Sequence, residues 1–496
     1  MLFNSYSFIF LYLPIVLIGF FWLARSSHAF AATWIAFASL FFYGYWNPAY
    51  VGLLLVSIVF NYTFGVWIAK AASPNRDQQT NLSHRKTLLI LAITANLLLL
   101  GYYKYANFFI SNINDITNTN WSLGEIILPL GISFFTFTQI AFLIDTYQNK
   151  VKEFNFSHYT LFVTFFPHLL AGPVLHHREM MPQFQHHKTY QIDWDNFATG
   201  LLLFTLGLCK KTLLADSFSP YANAIFDAVH QGTMLTSYEA WSGALAYTMQ
   251  IYFDFSGYTD MALGVALMFN IHLPINFDSP YKATSIIDFW RRWHMTLSGY
   301  LRDYLYIPLG GNRKGRARRY INLLLTMLIG GLWHGAGWTF ILWGALHGFY
   351  LAINHLWREQ VIPKVAFALP RTLSVFLGGA LTFIAVVVAW VMFRSHDLSS
   401  AGIMLNAMFG LESRPITFFE VTHGQLLPTI DMSGKSFIQL LLPSLLWIWI
   451  LPNSTQIKFI KSGTIFTITQ ACVVFYFLFL AIDQFGSYSP FLYFQF

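Results

Sequence analysis

Charged residues are scarce in this chain. Only 10% of its 496 residues are Asp, Glu, Lys or Arg, whereas ordinary soluble domains carry roughly 25%. So few charges cannot cover a water-exposed surface, which excludes a soluble globular protein. Hydrophobic residues make up 56% of the chain and aromatic residues 19%. This composition indicates that most side chains face lipid or other apolar helices.

Cysteine is almost absent as well. Cys209 and Cys472 each lie in an apolar stretch, far apart in the sequence, which excludes a disulfide framework and a thiolate metal site. We expect each to be a small buried hydrophobic side chain. The N-terminus has no basic region and no small-residue cleavage site, so we expect a retained first helix and no cleaved signal peptide.

Basic residues exceed acidic ones, and the formal net charge is +7. The basic residues cluster in short loops, as in membrane proteins oriented by cytoplasmic positive charge. A nucleic-acid-binding protein would instead show a basic face with interleaved aromatic residues. Membrane lipid is therefore an expected partner, and nucleic acid is not.

Long apolar runs are abundant. A helix needs roughly 20 residues to cross a hydrocarbon core about 30 Å thick, and about a dozen runs approach that length. They lie near residues 7–24, 29–46, 49–69, 87–110, 126–145, 158–175, 196–214, 238–270, 320–357, 372–393, 437–451 and 464–482. The sequence therefore predicts an all-α polytopic membrane protein with about 11 to 13 membrane segments.

Proline and glycine interrupt several of these runs. Pro129 and Gly131 lie in one, Pro167 in another, and a glycine-rich stretch at 330–337 in a third. Broken helices at membrane depth are tolerated only where protein or a water-filled cavity satisfies the freed backbone groups. The breaks therefore indicate an internal site.

Loop charges predict the orientation. The loop after the third run carries Lys70, Arg76, Arg85 and Lys86, whereas residues 111–125 contain acids and no Lys or Arg. The positive-inside rule places the first loop in the cytoplasm and the second outside. The basic cluster at 313–319 is expected in the cytoplasm too.

Residues 254–319 alternate aromatic and charged side chains, which is typical of a helix lying along the membrane interface. His294 follows the sequence WRRW in this stretch. Two interpretations stay open, a cytoplasmic anchoring helix or part of a site.

His334 lies in the next apolar run. If a helix starts near Tyr320 at the cytoplasmic face, His334 is about 20 Å along its axis at about 1.5 Å per residue. An ionisable residue at that depth is either functional or hydrogen-bonded between helices, and position alone does not decide. A neutral histidine can accept a proton from a hydroxyl that attacks an activated acyl group. We expect the flanking glycines to leave space for a thin substrate, such as an acyl thioester arm.

An ordered set of motifs extends over most of the first 350 residues. They are LPLGISFFTFTQIAFLIDTY (128–147), FFPHLLAGPVLHHREMMPQF (165–184), DFSGYTDMALG (254–264), NFDSPY (276–281), FWRRWHMTLSGYLRDYLYIPLGG (289–311) and GGLWHGAGWTFILWGALHG (330–348). In these motifs the chain resembles the membrane-bound O-acyltransferase (MBOAT) superfamily, in the bacterial branch typified by the membrane subunit of alginate O-acetyltransferase.

The resemblance implies a ring of helices around a central funnel, in one domain over residues 1–496. We divide it into N-terminal helices (1–125), a catalytic core (126–357) and C-terminal helices (358–496). It also implies that His334 and His294 are the two catalytic histidines. The residues expected to bind substrate are Trp333, Arg291, Arg292, Trp293, Asp288, Asn276 and His347.

The implied activity is transfer of an acetyl group from a cytoplasmic donor, acetyl-CoA, with no permanently bound cofactor. An extracytoplasmic acetyltransferase or esterase-like partner would pass the group to a polysaccharide or peptidoglycan, and the protein would lie in a bacterial inner membrane. The alternatives are another donor (a D-alanyl carrier protein or a long-chain acyl-CoA) and a secondary transporter.

No metal is expected, because four loop histidines lack Cys, Asp or Glu partners at zinc spacing. They are His176, His177, His186 and His187.

Overall fold

The computed structural model describes residues 1–71, 78–170, 172–364, 370–415, 427, 429, 432–457, 464–485 and 491–492. Regular structure in these residues is helical, apart from one isolated β-bridge between Leu427 and Met432. The all-α prediction is confirmed. Part of the polar region after residue 395, namely 416–426, 428 and 430–431, lies outside the described residues.

The α-helices are numbered in chain order. The first ten are α1 (Leu13–Ala24), α2 (His28–Gly44), α3 (Ala49–Lys70), α4 (Gln78–Leu100), α5 (Ala106–Thr117), α6 (Ile132–Tyr147), α7 (Phe156–Thr164), α8 (Phe166–Leu169), α9 (His177–Met180) and α10 (Trp194–Cys209). The others are α11 (Asp216–His230), α12 (Ser237–Met268), α13 (Ile286–Arg292), α14 (Met295–Leu301), α15 (Arg316–His334), α16 (Trp338–Leu356), α17 (Arg371–Arg394), α18 (Leu398–Met408), α19 (Gly434–Ile450) and α20 (Thr464–Asp483).

Among the described residues, five helical segments are long and apolar enough to cross a membrane. They are Ser7–Ala24, Ala49–Lys70, Leu82–Thr117, Trp194–His230 and Arg371–Arg394. Each overlaps a run predicted from the sequence. The shorter apolar helices α2, α18 and α19 and residues Ile468–Asp483 add to these, and the count of 11 to 13 segments stays a prediction.

The chain divides into two compact units. The first comprises Met1–Gly207, Tyr258–Ile275 and Lys458–Gly486, and the second comprises Leu208–Gly257, Asn276–Ile457 and Ser487–Phe496. The division into the predicted regions 1–125, 126–357 and 358–496 stays a prediction.

The expected helix breaks are present. Helix α6 begins directly after Gly131, whose φ of 72° suits glycine because it has no Cβ. Helices α7 and α8 are separated at Phe165, two residues before Pro167. Helices α15 and α16 are separated at residues 335–337.

In the first unit, Arg85 makes structural hydrogen bonds, whereas the sequence analysis used it only as a basic residue that indicates the cytoplasmic side. Its side chain is 7% exposed and donates to the backbone oxygens of Ile68 and Tyr147 at 3.1 and 2.8 Å. These oxygens belong to the last turns of α3 and α6, where carbonyls lack helical partners. Arg85 therefore joins two helix ends.

In the second unit, α15 and α16 form a hairpin whose close approach depends on glycine. A Cβ on Gly331 would lie 2.2 Å from the backbone oxygen of Phe340, and a Cβ on Gly344 would lie 2.2 Å from that of Met327. A Cβ on Gly335 would collide with the Phe340 ring at 2.2 Å. The expectation that glycines leave room for a thin substrate is wrong at these positions, because helix packing fills the space.

The interfacial interpretation of residues 254–319 also needs correction. Helix α12 continues to Met268, and Asp254 is 1% exposed and paired with Lys211 at 2.7 Å. Further on, Asn276 and His294 are both fully buried. This part of the stretch is therefore core and not a surface anchor, because its aromatic residues pack against one another.

Cys209 is buried as expected, whereas Cys472 is exposed.

Candidate active site

His334 is the last residue of α15 and is 5% exposed. The helix begins at Arg316, earlier than the expected start near Tyr320. In the described part of the chain, the rings of Trp333, Trp343 and Phe393 pack against the imidazole, with centroids 4.9 to 5.3 Å away. Gly335 ends the helix, so the hairpin turn brings Trp343 back against His334.

His294 lies near His334, with 6.4 Å between the two ring centroids. It immediately precedes α14 and adopts a left-handed backbone conformation with φ 43° and ψ 52°. Such a conformation is costly for a residue with a side chain and persists only where the surroundings impose it. The Phe255 ring packs perpendicular to the His294 ring, with 4.8 Å between the two ring centroids.

Asn276 determines which nitrogen of His294 carries the proton. The Asn276 side-chain oxygen accepts from the backbone N–H and the hydroxyl of Thr296 at 3.3 and 2.9 Å. A backbone N–H can only donate, so this contact fixes the amide orientation. The same oxygen lies 3.1 Å from Nδ1 of His294. Nδ1 must therefore donate, and in the neutral ring Nε2 carries the lone pair.

Burial favours that neutral form. His294 lies outside the segments long and apolar enough to cross a membrane, and burial lowers the pKa of His294 to about 3 because a charged imidazole loses its hydration. A neutral ring with its proton on Nδ1 can act as a base or an acceptor through Nε2.

His347, in the middle of α16, is fully buried. The indole N–H of Trp290 donates to Nδ1 of His347 at 3.3 Å. Trp343, one helical turn earlier, packs against both His347 and His334, with ring centroids 4.9 and 5.1 Å away. The structure thus links His347 to the histidine pair through Trp343.

The charged residues that the sequence predicts to bind substrate have surroundings different from those of the histidines. Arg292 pairs with Asp288 at 3.0 Å and with Asp278 at 3.5 Å. Arg292 and Asp288 therefore already form ion pairs within the protein. Arg291 is exposed. Trp293 is 2% exposed and packs on Trp390, 4.9 Å between ring centroids, which is a core position.

The structure therefore brings together His334, His294, Trp333, Asn276 and His347. It leaves Arg291 exposed, pairs Arg292 with Asp288 and packs Trp293 on Trp390. Sequence reasoning missed Trp343, Phe393 and Thr296. Trp343 could have been found, because it lies four residues before His347 and so shares a helix face with it. Phe393 comes from α17, and no local signal connects it to His334.

Two features define the class of protein: helices able to cross a membrane and a buried histidine pair enclosed by aromatic rings. Together they describe a multi-pass membrane enzyme. The chain belongs to the membrane-bound O-acyltransferase family, MBOAT, whose sequence profile matches residues 16–393. It is an O-acyltransferase.

Several proteins with assigned names are similar to this chain over part or all of their length. The chain is 42% identical to the peptidoglycan O-acetyltransferase of Helicobacter pylori over 537 residues, which cover 100% of this chain and 98% of that protein. It is 42% identical to a probable alginate O-acetylase AlgI of Azotobacter vinelandii, covering 82% of this chain and 78% of the relative. A teichoic acid D-alanyltransferase of Streptococcus thermophilus is 30% identical over 47% of this chain and 58% of the relative.

Proposed function

We propose that this protein moves an acetyl group from cytoplasmic acetyl-CoA across the inner membrane of a bacterium for O-acetylation of an extracytoplasmic glycan. The names of two relatives that cover most of this chain support acetyl transfer to peptidoglycan or alginate. The observation that carries the proposal is the buried pair His334 and His294, whose ring centroids are 6.4 Å apart.

His334 acts as general base in this proposal. The acceptor hydroxyl gives its proton to the imidazole while its oxygen attacks the thioester carbonyl carbon. The carbonyl π electrons move to oxygen, and they return as the carbon–sulfur bond breaks and the thiolate leaves with that bond's electron pair. The imidazolium then returns its proton to the thiolate. His294 assists through Nε2, because Asn276 holds its Nδ1 as a donor.

The exposed basic residues are suited to the donor's phosphates. Arg291, Arg313 and Arg318 are exposed. Arg319 is less suited, because it pairs with Glu359 at 2.6 Å and its guanidinium holds the pKa of Glu359 below the usual range. Guanidinium groups free of carboxylates bind phosphate with the least competition. We therefore favour Arg291 over Arg292 for the donor.

An extracytoplasmic partner completes the pathway in this proposal. It would be an acetyltransferase or esterase-like protein that receives the acetyl group and acetylates a polysaccharide or peptidoglycan. The same fold could instead use a D-alanyl carrier protein, as the name of the Streptococcus thermophilus relative suggests. That relative aligns with 47% of the chain, so acetyl transfer has the broader support.

The test compares His334→Ala with wild type in membrane vesicles that expose the cytoplasmic face. With radiolabelled acetyl-CoA, we expect the variant to lose at least about 100-fold in transfer to glycan, since general base catalysis contributes about 10²- to 10⁴-fold. The control is His272→Ala, at an exposed histidine of the first unit, which should transfer at the wild-type rate. Folded protein is quantified by size exclusion in detergent.

Donor choice is tested in the same vesicles. Transfer from a D-alanyl carrier protein or a long-chain acyl-CoA, with none from acetyl-CoA, would overturn the acetyl assignment. Movement of a solute that depends on His334, with acyl transfer intact in His334→Ala, would overturn the enzyme mechanism.

A further inference from the structure

Helix α16 presents two buried N–H donors on one face, and the first of them, Trp343, packs against His334. Trp343 and His347 are 1% and 0% exposed, and they lie four residues apart, which places them on the same side of the helix. Their ring centroids are 4.9 Å apart, and the Trp343 ring stands at 89° to the His334 ring.

The hydrogen bond from Trp290 determines the tautomer of His347. An indole N–H can only donate, so Nδ1 of His347 accepts it at 3.3 Å. In the neutral ring the proton must then sit on Nε2. His347 therefore offers an Nε2–H donor, and Trp343 offers its indole N–H.

Neither donor has an acceptor within the described part of the chain. A buried donor left unsatisfied costs about 1 to 3 kcal/mol, and most buried polar groups in proteins are hydrogen-bonded. Two other indoles of the second unit follow that rule. Trp390 donates to the Tyr281 hydroxyl at 3.3 Å, and Trp241 donates to the backbone oxygen of Met408 at 2.9 Å.

We propose that the Trp343 indole N–H and the His347 Nε2–H bind the carbonyl oxygen of the acyl donor and the oxyanion that forms from it. The inference rests on the proposed function, since it requires an acyl thioester at His334. When the acceptor oxygen bonds to the carbonyl carbon, the π pair moves to the carbonyl oxygen, and the two donors stabilise that charge. The pair returns when the carbon–sulfur bond breaks and the thiolate leaves.

This arrangement suits transition-state stabilisation. Neutral donors fixed in a buried aromatic enclosure interact more strongly with developing charge than they would in water. The donors are also held rigidly, because α16 fixes both side chains and Trp290 fixes the His347 ring. Donors placed in advance need no reorganisation as the charge develops.

The test uses Trp343→Phe and His347→Leu, which each remove one donor and keep an apolar side chain. We expect each to lower kcat for acetyl transfer about 100-fold, with KM for acetyl-CoA changed less than about twofold. An interaction that is stronger with the oxyanion than with the carbonyl oxygen of the bound substrate lowers kcat more than it weakens substrate binding. His347→Gln, which restores an N–H donor near the same position, should recover at least about tenfold over His347→Leu.

The matched control is Trp390→Phe, which removes a neighbouring indole N–H that already has an acceptor. It should retain kcat within about threefold, because the indole N–H that it removes donates to the Tyr281 hydroxyl and not to the carbonyl oxygen of the substrate. All rates are normalised to folded protein. If Trp343→Phe fails to fold, the ratio between His347→Gln and His347→Leu decides the question.

The inference is overturned if folded Trp343→Phe and His347→Leu keep wild-type kcat, or if KM rises while kcat is unchanged. It is also overturned if Trp390→Phe loses as much kcat as Trp343→Phe, which would indicate packing alone. Failure of the proposed function is distinguishable, because wild-type protein would then transfer no acetyl group from acetyl-CoA.

Discussion

At the scale of single residues, the site depends on fixed proton positions. Asn276 makes Nδ1 of His294 a donor, whereas Trp290 makes Nδ1 of His347 an acceptor. Two buried histidines in the same unit therefore have opposite tautomers. His294 can accept through Nε2 and His347 can donate through Nε2, so their chemical roles differ although the residue type is the same.

A substitution at Asn276 tests the tautomer assignment. Asn276→Asp keeps an oxygen acceptor for His294 and Thr296 but adds negative charge, which raises the pKa of His294. The acid limb of the profile of kcat/KM against pH should therefore move to higher pH. Asn276→Ala should lower kcat at least about tenfold, since a base in the wrong tautomer loses part of its 10²- to 10⁴-fold contribution.

The control at this position is Thr296→Ser, which keeps the hydroxyl that donates to Asn276. Its pH profile should match that of wild type. An unshifted acid limb in folded Asn276→Asp would contradict the assignment.

At the scale of elements, the α15–α16 hairpin sets the position of His334. The backbones of the two helices approach closely at Gly331 and Gly344, where a Cβ would lie 2.2 Å from a carbonyl oxygen of the other helix. Neither helix can accept a side chain there without moving. The same close contact positions Trp343 against His334. The geometry of the site therefore depends on the packing of the two helices.

Gly344→Ala therefore should destabilise the protein by about 1 to 3 kcal/mol or more, because the new methyl group overpacks a backbone contact. Thermal unfolding in detergent measures the effect. Gly402→Ala in α18 is the matched control. Its Cβ meets nothing within 4 Å, so loss of backbone freedom in the unfolded chain should stabilise by about 0.5 to 1 kcal/mol. Equal unfolding temperatures for Gly344→Ala and wild type would contradict the packing argument.

At the scale of the whole molecule, the orientation in the membrane follows from charge. The cluster of basic residues at 313–319 is expected in the cytoplasm, and residues 111–125, with no Lys or Arg, are expected outside. This orientation would expose the arginines that we propose to bind the donor to cytoplasmic acetyl-CoA, which the proposed function requires.

Cysteine labelling tests the orientation. In a background with Cys209→Ala and Cys472→Ser, we place single cysteines at two exposed positions, Ser122→Cys and Lys314→Cys. A membrane-impermeant maleimide should label Ser122→Cys in intact cells and Lys314→Cys only in inverted vesicles. Labelling of both from the same side would contradict the predicted orientation.

The sequence by itself determined the helical class, the helix breaks and the candidate histidines, because these depend on composition and on local patterns. A chain with so few charged residues must bury its apolar helices in lipid or in protein. Gly131 interrupts a helix because glycine readily adopts a positive φ, and Pro167 does so because proline lacks a backbone N–H. The motifs also pointed to His294 and His334 without knowledge of their distance.

Only the tertiary structure decided which groups meet at His334. Asn276 and His294 are 18 residues apart, and Trp290 and His347 are 57 apart, while Phe393 reaches His334 from α17. Hydrogen bonds and ring contacts between such distant residues depend on how whole helices pack, and no local pattern encodes them. The sequence indicated His334 by its predicted depth in the membrane. The residues that surround its imidazole are brought there by folding.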